Sequence, residues 1–254
     1  METITLNGFE LAYERRGKGT PLVLLHGYPL DHTIWEPVIP LLENDFDLIL
    51  PDLPGFSESE MPARTYGMAD YAADIAALLG ALGIWQACIA GHSMGGYVAL
   101  AFARAFPQRT LGLGLVASQV LADTPERKAG RYHEADDILA RGVREVAEVM
   151  SVKLTPDAGL QSKLKALILQ QRPQGLAVAL RAMAERPDSS ALLPGSDFPV
   201  VLIHGMADGL IPVDRARSIK AAVPKAFLTE IPGVGHMPMM EASQATANAL
   251  KELK

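Results

Sequence analysis

The chain has 254 residues, enough for one domain with a large core, and an ordinary globular composition: 49% hydrophobic, 20% charged, 22 Gly and 18 Pro. Its 23 basic and 29 acidic side chains give a net charge of −6, and no basic run breaks that balance, which argues against nucleic acid as a partner. The single cysteine, Cys88, excludes an internal disulfide and a thiolate metal cluster. Within Ala87-Cys88-Ile89-Ala90 it reads as a small buried hydrophobe.

Residues 1–7 lack the basic start and apolar segment of a signal peptide, and no apolar stretch nears the roughly 18 residues that span a bilayer. A soluble, cytoplasmic protein with no membrane partner is expected. Residues 3–6 and 10–14 read as strands joined by the hairpin signal Asn7-Gly8. Short, nearly continuous apolar runs follow at 21–25, 46–50, 86–90, 111–117, 198–203 and 226–231. Such runs imply strands buried on both faces, as in a parallel sheet. Helical patterns fall between them at 68–82, 94–106 and 214–223, and 241–254 closes the chain. The expected fold class is therefore α/β, a mostly parallel, doubly wound sheet of about eight strands with helices on both faces.

Residues 121–193 break the alternation. They carry a charged helical stretch at 126–148 and more apolar ones at 160–169 and 176–183, with no strand pattern. The expected division is a core of residues 1–120 and 194–254, with a helical lid of 121–193 over the carboxyl edge of the sheet, where open α/β sheets bind ligands.

The strongest motif is Gly91-His92-Ser93-Met94-Gly95, followed by Gly96. It has the form G-x-S-x-G, follows an apolar strand and opens a helix, the context of a nucleophile elbow. The tight turn strains Ser93 and requires Gly91 and Gly95 to lack a Cβ. A serine hydroxyl is a weak nucleophile and needs a base. Of six histidines, His236 lies in the loop Gly233-Val234-Gly235-His236 after the last strand, from which it reaches the sheet edge. His26 and His204 read as loop-backbone partners, His92 as pointing away from Ser93, His32 as a loop residue and His133 as exposed.

The base needs a carboxylate to hold its tautomer. Asp208 follows the strand at 198–203, and the order Ser93, Asp208, His236 suits an α/β sheet. Asp52 is read as tying down its own loop, Asp214 as a first-turn helix acid, and Asp31 as lying too early for the triad order. The oxyanion formed on attack needs preorganised donors: the backbone N–H of Met94, and that of Tyr28 in the loop after His26-Gly27. No His/Asp/Glu cluster has metal-ligand spacing, and neither metal nor organic cofactor is expected.

With these landmarks, and with His26-Gly27-Tyr28-Pro29 and Asp52-Leu53-Pro54-Gly55-Phe56-Ser57-Glu58-Ser59, the chain resembles the α/β-hydrolase superfamily over nearly its whole length. Within it, the chain is similar to bacterial carboxylesterases and 3-oxoadipate enol-lactonase-like enzymes. Tyr97 and the segment Met183-Ala184-Glu185-Arg186-Pro187-Asp188 look most like the esterase group. The resemblance implies hydrolysis of small carboxylic esters through an acyl-enzyme on Ser93. Alternatives with the same triad are an enol-lactonase or C–C bond hydrolase and a cofactor-free perhydrolase. A dehalogenase is disfavoured by Ser at position 93, and a non-catalytic receptor by the complete triad.

A lactonase or C–C hydrolase would need a cationic anchor for a carboxylate. The lid arginines Arg141, Arg144, Arg172, Arg181 and Arg186 read mostly as solvated helix residues. The lid's apolar set, Leu139, Val143, Val146, Val149, Met150, Leu176, Leu180 and Met183, is expected to form its own core and close a small pocket. Met150 and Met183 are expected to face substrate, because flexible thioethers adapt to varied acyl groups.

Overall fold

The computed structural model describes residues 1–254. Strand β1 (Glu2–Leu6) turns back into β2 (Phe9–Gly17) through Asn7 and Gly8, whose φ angles of 51° and 87° fit the mirror-image turns that match strand twist. The chain then lays down β3 (Thr20–Leu25), a 3-10 turn (His32–Val38), the short α1 (Ile39–Leu42) and β4 (Phe46–Pro51). Helix α2 (Met68–Ala81), β5 (Ala87–His92), α3 (Met94–Ala105) and β6 (Thr110–Val116) continue the alternation. Four helices follow, α4 (Pro125–Arg141), α5 (Arg144–Leu154), α6 (Ala158–Leu169) and α7 (Pro173–Ala184), and then β7 (Val200–Gly205), α8 (Asp214–Ala222) and β8 (Phe227–Ile231).

The sheet has eight strands in the order β1-β2-β4-β3-β5-β6-β7-β8. β2 pairs antiparallel with β1 and β4; every pairing from β4 through β8 is parallel. Strands β5 and β7 are buried along their whole length, as their unbroken apolar runs require. β8 departs from that expectation. It is an edge strand paired on one side only, and Phe227 is 47% exposed.

The carboxyl-terminal segment differs from the single helix expected over 241–254. It forms α9 (Pro238–Glu241), α10 (Ser243–Leu250) and a final 3-10 turn (Lys251–Leu253). The break has a local cause: Ala242 leaves the helical region at φ −145° and ψ 58°, and the Glu241 carboxylate turns back to accept from the N–H groups of Gly235 and Met237.

Between β6 and β7 lie α4 (Pro125–Arg141), α5 (Arg144–Leu154), α6 (Ala158–Leu169) and α7 (Pro173–Ala184), with no strand among them. The charged stretch at 126–148 is two helices, divided at Gly142, whose φ of 79° only glycine adopts freely. α4 packs on α7 and α5 on α6. Ile138, Leu164, Ile168, Leu176 and Leu180 are buried in the same 72-residue cluster as the sheet, so these helices share its core. Leu139 does not join it; it sits 46% exposed on the outer face of α4, one residue round from Ile138. No helix is long and apolar enough to cross a membrane.

Candidate active site

β5 ends at His92 and α3 begins at Met94, so Ser93 alone makes the turn, at φ 50° and ψ −111°. A non-glycine residue held there costs on the order of 1–3 kcal/mol and persists only where its surroundings over-determine it. They do. Ser93 donates its N–H to the Val116 carbonyl at 2.9 Å, and its own carbonyl accepts from Ser118 Oγ at 2.8 Å and Gly96 N at 3.0 Å. A Cβ on Gly91 would strike the Gly95 backbone; one on Gly95 would strike Leu25 and His26; one on Gly96 would strike Ser118. The last requirement is invisible in the pentapeptide, because Ser118 arrives from the end of β6.

The loops after β7 and β8 bring Asp208 and His236 together. Met206 and Ala207 donate their N–H groups to Ile231 and Val234, tying one loop to the other. His236 Nδ1 lies 2.7 Å from Asp208 Oδ2. Donation from Nδ1 leaves Nε2 as the free lone pair, the tautomer a general base needs. Asp208 Oδ1 accepts from the N–H groups of Leu210 at 2.8 Å and Ile211 at 3.0 Å, and His204 Nε2 lies 3.3 Å from Oδ2. Burial opposes ionisation of Asp208, but these hydrogen bonds outweigh it and hold the carboxyl well below the usual carboxylate range.

Ser93 and His236 both line a cavity of about 620 Å³ walled also by α4, α5 and α7, with Tyr28, Met150 and Met183 among its lining. Of the two methionines, Met183 is 3% exposed. The N–H of Met94 is the first in α3 and has no intrahelical acceptor. The Tyr28 hydroxyl is buried without a protein partner, and burial pushes it well above the usual phenol range.

Of the remaining histidines and acids, His26, His204, His133 and Asp214 fall where the sequence suggests, whereas His32 opens the 3-10 turn, buried, and Asp52 fastens it instead of its own loop. His26 Nε2 accepts from Leu53 N at 2.8 Å, His204 donates to the Ile211 carbonyl at 2.7 Å, and His133 is exposed. Asp52 Oδ1 takes the backbone N–H and ring Nδ1 of His32 at 3.1 and 2.7 Å, and Asp214 opens α8. Cys88 is buried, with its thiol pushed up to about 12 by burial.

Three features escape sequence reasoning. First, the fold gathers Asp31, His32 and Asp52 so that one ligand atom of each lies within 4.8 Å of the others, although their spacing in sequence is no metal motif. Local bonds engage His32 with Asp52 Oδ1 and Asp31 with Thr33, while Asp52 Oδ2 is buried without a partner. Second, Arg186 is 6% exposed rather than solvated, with its guanidinium 4.1 Å over the Tyr97 ring. Third, Asp123 and Arg131 line the cavity beside Met183. Nothing in the sequence pattern marks either residue: Asp123 precedes α4, and which face of α4 carries Arg131 to the cavity depends on how α4 docks.

The sequence matches the alpha/beta hydrolase fold family over residues 20–243. It is 33% identical over 249 residues to the dihydrolipoyllysine-residue acetyltransferase component of an acetoin cleaving system from Pseudomonas putida, covering 94% of this chain and only 64% of that protein. It is 31% identical over 252 residues to a pimeloyl-[acyl-carrier protein] methyl ester esterase from Chromobacterium violaceum, covering 95% of this chain and 97% of that one. A thermophilic esterase from Thermogutta terrifontis, solved with malate bound, superposes with a TM-score of 0.93 at 36% identity, covering 98% of this chain and 95% of the other. The eight-stranded topology and these relationships together show that the chain belongs to the α/β-hydrolase family.

Proposed function

We propose that this chain hydrolyses carboxylic esters of modest size through an acyl-enzyme on Ser93. The reading rests chiefly on one observation: His236, 2.7 Å from the Asp208 carboxylate, lines the same cavity as a serine held at positive φ. Similarity to two esterases supports the ester as the scissile bond. Ser93 Oγ attacks the ester carbonyl carbon as His236 Nε2 takes the hydroxyl proton. The carbonyl oxygen becomes an oxyanion, which the N–H groups of Met94 and Tyr28 stabilise. Collapse expels the alcohol with the proton from His236. Water then attacks the acyl-enzyme, again losing a proton to His236, and the acid leaves as Ser93 regains its hydrogen. Asp208 orients the imidazole and stabilises its cationic form throughout. Residues 121–193 act as the lid over this chemistry. The substrate is the one partner the reaction needs, and no cofactor enters it.

The test is turnover of a p-nitrophenyl ester series with a lactone alongside. Ser93→Ala should fold normally and lose on the order of 10⁴ to 10⁶ in kcat. A phosphonate probe should form its adduct on Ser93 alone, read by intact mass and peptide mapping. Activity near that of the parent in purified Ser93→Ala would overturn the mechanism.

A further inference from the structure

The chain carries a net charge of −6, but its main cavity does not share that sign. Three basic side chains, Arg127, Arg131 and Lys153, line it against two acidic ones, Asp123 and Glu134. Arg186 lies just behind the wall. Asp123 is shared: Arg131 Nε donates to Oδ2, and Arg186 Nη2 donates to Oδ1 at 2.8 Å.

The two guanidiniums differ in what remains to them. Arg186 also donates to the carbonyls of Met183 at 2.8 Å and Leu121 at 2.9 Å and stacks on Tyr97, which engages both of its Nη atoms and leaves only its buried Nε without a partner. Arg131 is 7% exposed, yet its Nη1 meets only the weak acceptor Met183 Sδ at 3.4 Å, and its Nη2 donors have no protein acceptor. Both buried guanidiniums pair with the one carboxylate of Asp123, and Glu134, the other acid lining the cavity, forms an ion pair with neither. A charge taken from water is costly unless it is paired and hydrogen-bonded. Here the unused edge of a planar, forked donor lines the cavity that also holds Ser93, and that fork matches a carboxylate.

We propose that the Arg131 corner of the cavity is a subsite for a substrate carboxylate, so that the preferred esters are carboxylate-bearing ones: half-esters of dicarboxylic acids, or esters whose alcohol part carries an acid. This rests on the reading of Ser93 as the nucleophile. Arg131 would hold the charged end of the substrate while Ser93 meets the ester carbonyl. Asp123 and Arg186 fix the guanidinium plane, so little side-chain freedom is lost on binding.

The experiment compares kcat/KM within two pairs by pH-stat: monomethyl glutarate with methyl pentanoate, and 4-carboxyphenyl acetate with 4-methylphenyl acetate. The charged member should be favoured about 10-fold or more in at least one pair, the range set by burying a charged hydrogen bond. In Arg131→Met that ratio should fall about 10-fold or more, while Arg131→Lys, which keeps the charge, should retain most of it. A preference for the neutral member in both pairs overturns the subsite, as does a ratio unchanged in Arg131→Met. The parent protein alone supplies the first of these outcomes, so misfolding of a variant does not protect the proposal. Ser93-dependent turnover of neutral esters without charge preference defeats the subsite alone; no turnover of any ester defeats the serine-esterase reading and the subsite with it.

Discussion

The ring of His92 bonds to the backbone of His236: its Nε2 donates to the His236 carbonyl at 2.8 Å, with the two ring centroids 4.9 Å apart. The His236 N–H donates in turn to the carbonyl of Leu154 at the end of α5, at 3.0 Å. The residue read as general base is therefore held on one side by the neighbour of Ser93 and on the other by the helical insertion. Burial keeps His92 neutral, well below the ordinary histidine range, as a donor to a carbonyl permits.

His92 acts as a positioning residue on this account. His92→Leu should lower kcat roughly 10- to 100-fold with KM little changed, because a displacement of about 1 Å in a catalytic group has that effect. His92→Gln, which retains an N–H donor, should recover part of the loss. Equal kcat in the two variants at equal melting temperature would assign His92 to packing alone.

Asp208→Asn should lose roughly 10⁴-fold in kcat, through the wrong imidazole tautomer. Asp52→Asn should lose far less activity and more stability, since Asp52 is fully buried and fastens His32 instead of His236. Kinetics ranking the two the other way round would reassign the acid.

EDTA should leave ester turnover unchanged. His32 bonds Asp52 Oδ1 and Asp31 caps the turn at Thr33, so the fold has a structural use for these side chains, with only Asp52 Oδ2 buried without a partner. Inactivation by EDTA, reversed by one added metal, would give that cluster a different role.

Stability should fall between about pH 7.5 and pH 5. Burial lowers the pKa of His26 and of His92 in the folded state, so the unfolded chain binds more protons once pH drops toward the unfolded value of about 6.5. His32 opposes the trend: burial lowers it, but the Asp52 partner outweighs burial and raises it, so its contribution is present below about 6.5 and fades as pH rises. The net slope is bounded by about 1.4 kcal/mol per pH unit for each group. A second loss should come in stronger acid, where Asp208 must be protonated: its folded pKa is depressed, so its stabilisation holds above about pH 4 and disappears below. Urea unfolding across pH 4–8 checks the first phase; stability flat or rising toward pH 5 would contradict it.

Short acyl esters, about C2 to C6, should be preferred over long ones. Each buried methylene adds up to about 0.8 kcal/mol of binding until the cavity is full, after which clashes reverse the trend. Met150→Ala should move the optimum toward longer chains, because Met150 lines the same cavity as Ser93. A kcat/KM profile still rising at C12 would mean an open groove.

The local elements were legible in the sequence because each follows from short-range physics. Continuous apolar runs become β3 to β7, and Gly91 and Gly95 announce a turn that tolerates no Cβ. Chain order and loop position singled out Asp208 and His236, which the fold joins at 2.7 Å. Their meeting could be anticipated because both loops leave the carboxyl edge of adjacent strands, β7 and β8.

Long-range packing decided the rest. β8 reads as a two-faced buried strand but lies at the sheet edge, since a strand's apolar run does not state how many neighbours it has. Gly96 needs its missing Cβ because Ser118 approaches from another strand. Arg131 and Arg186 look like any solvated helical arginines, yet docking of α4 and α7 buries both around Asp123. A guanidinium is stable inside only with a partner brought from elsewhere in the chain, and helical periodicity carries no record of which partner that is.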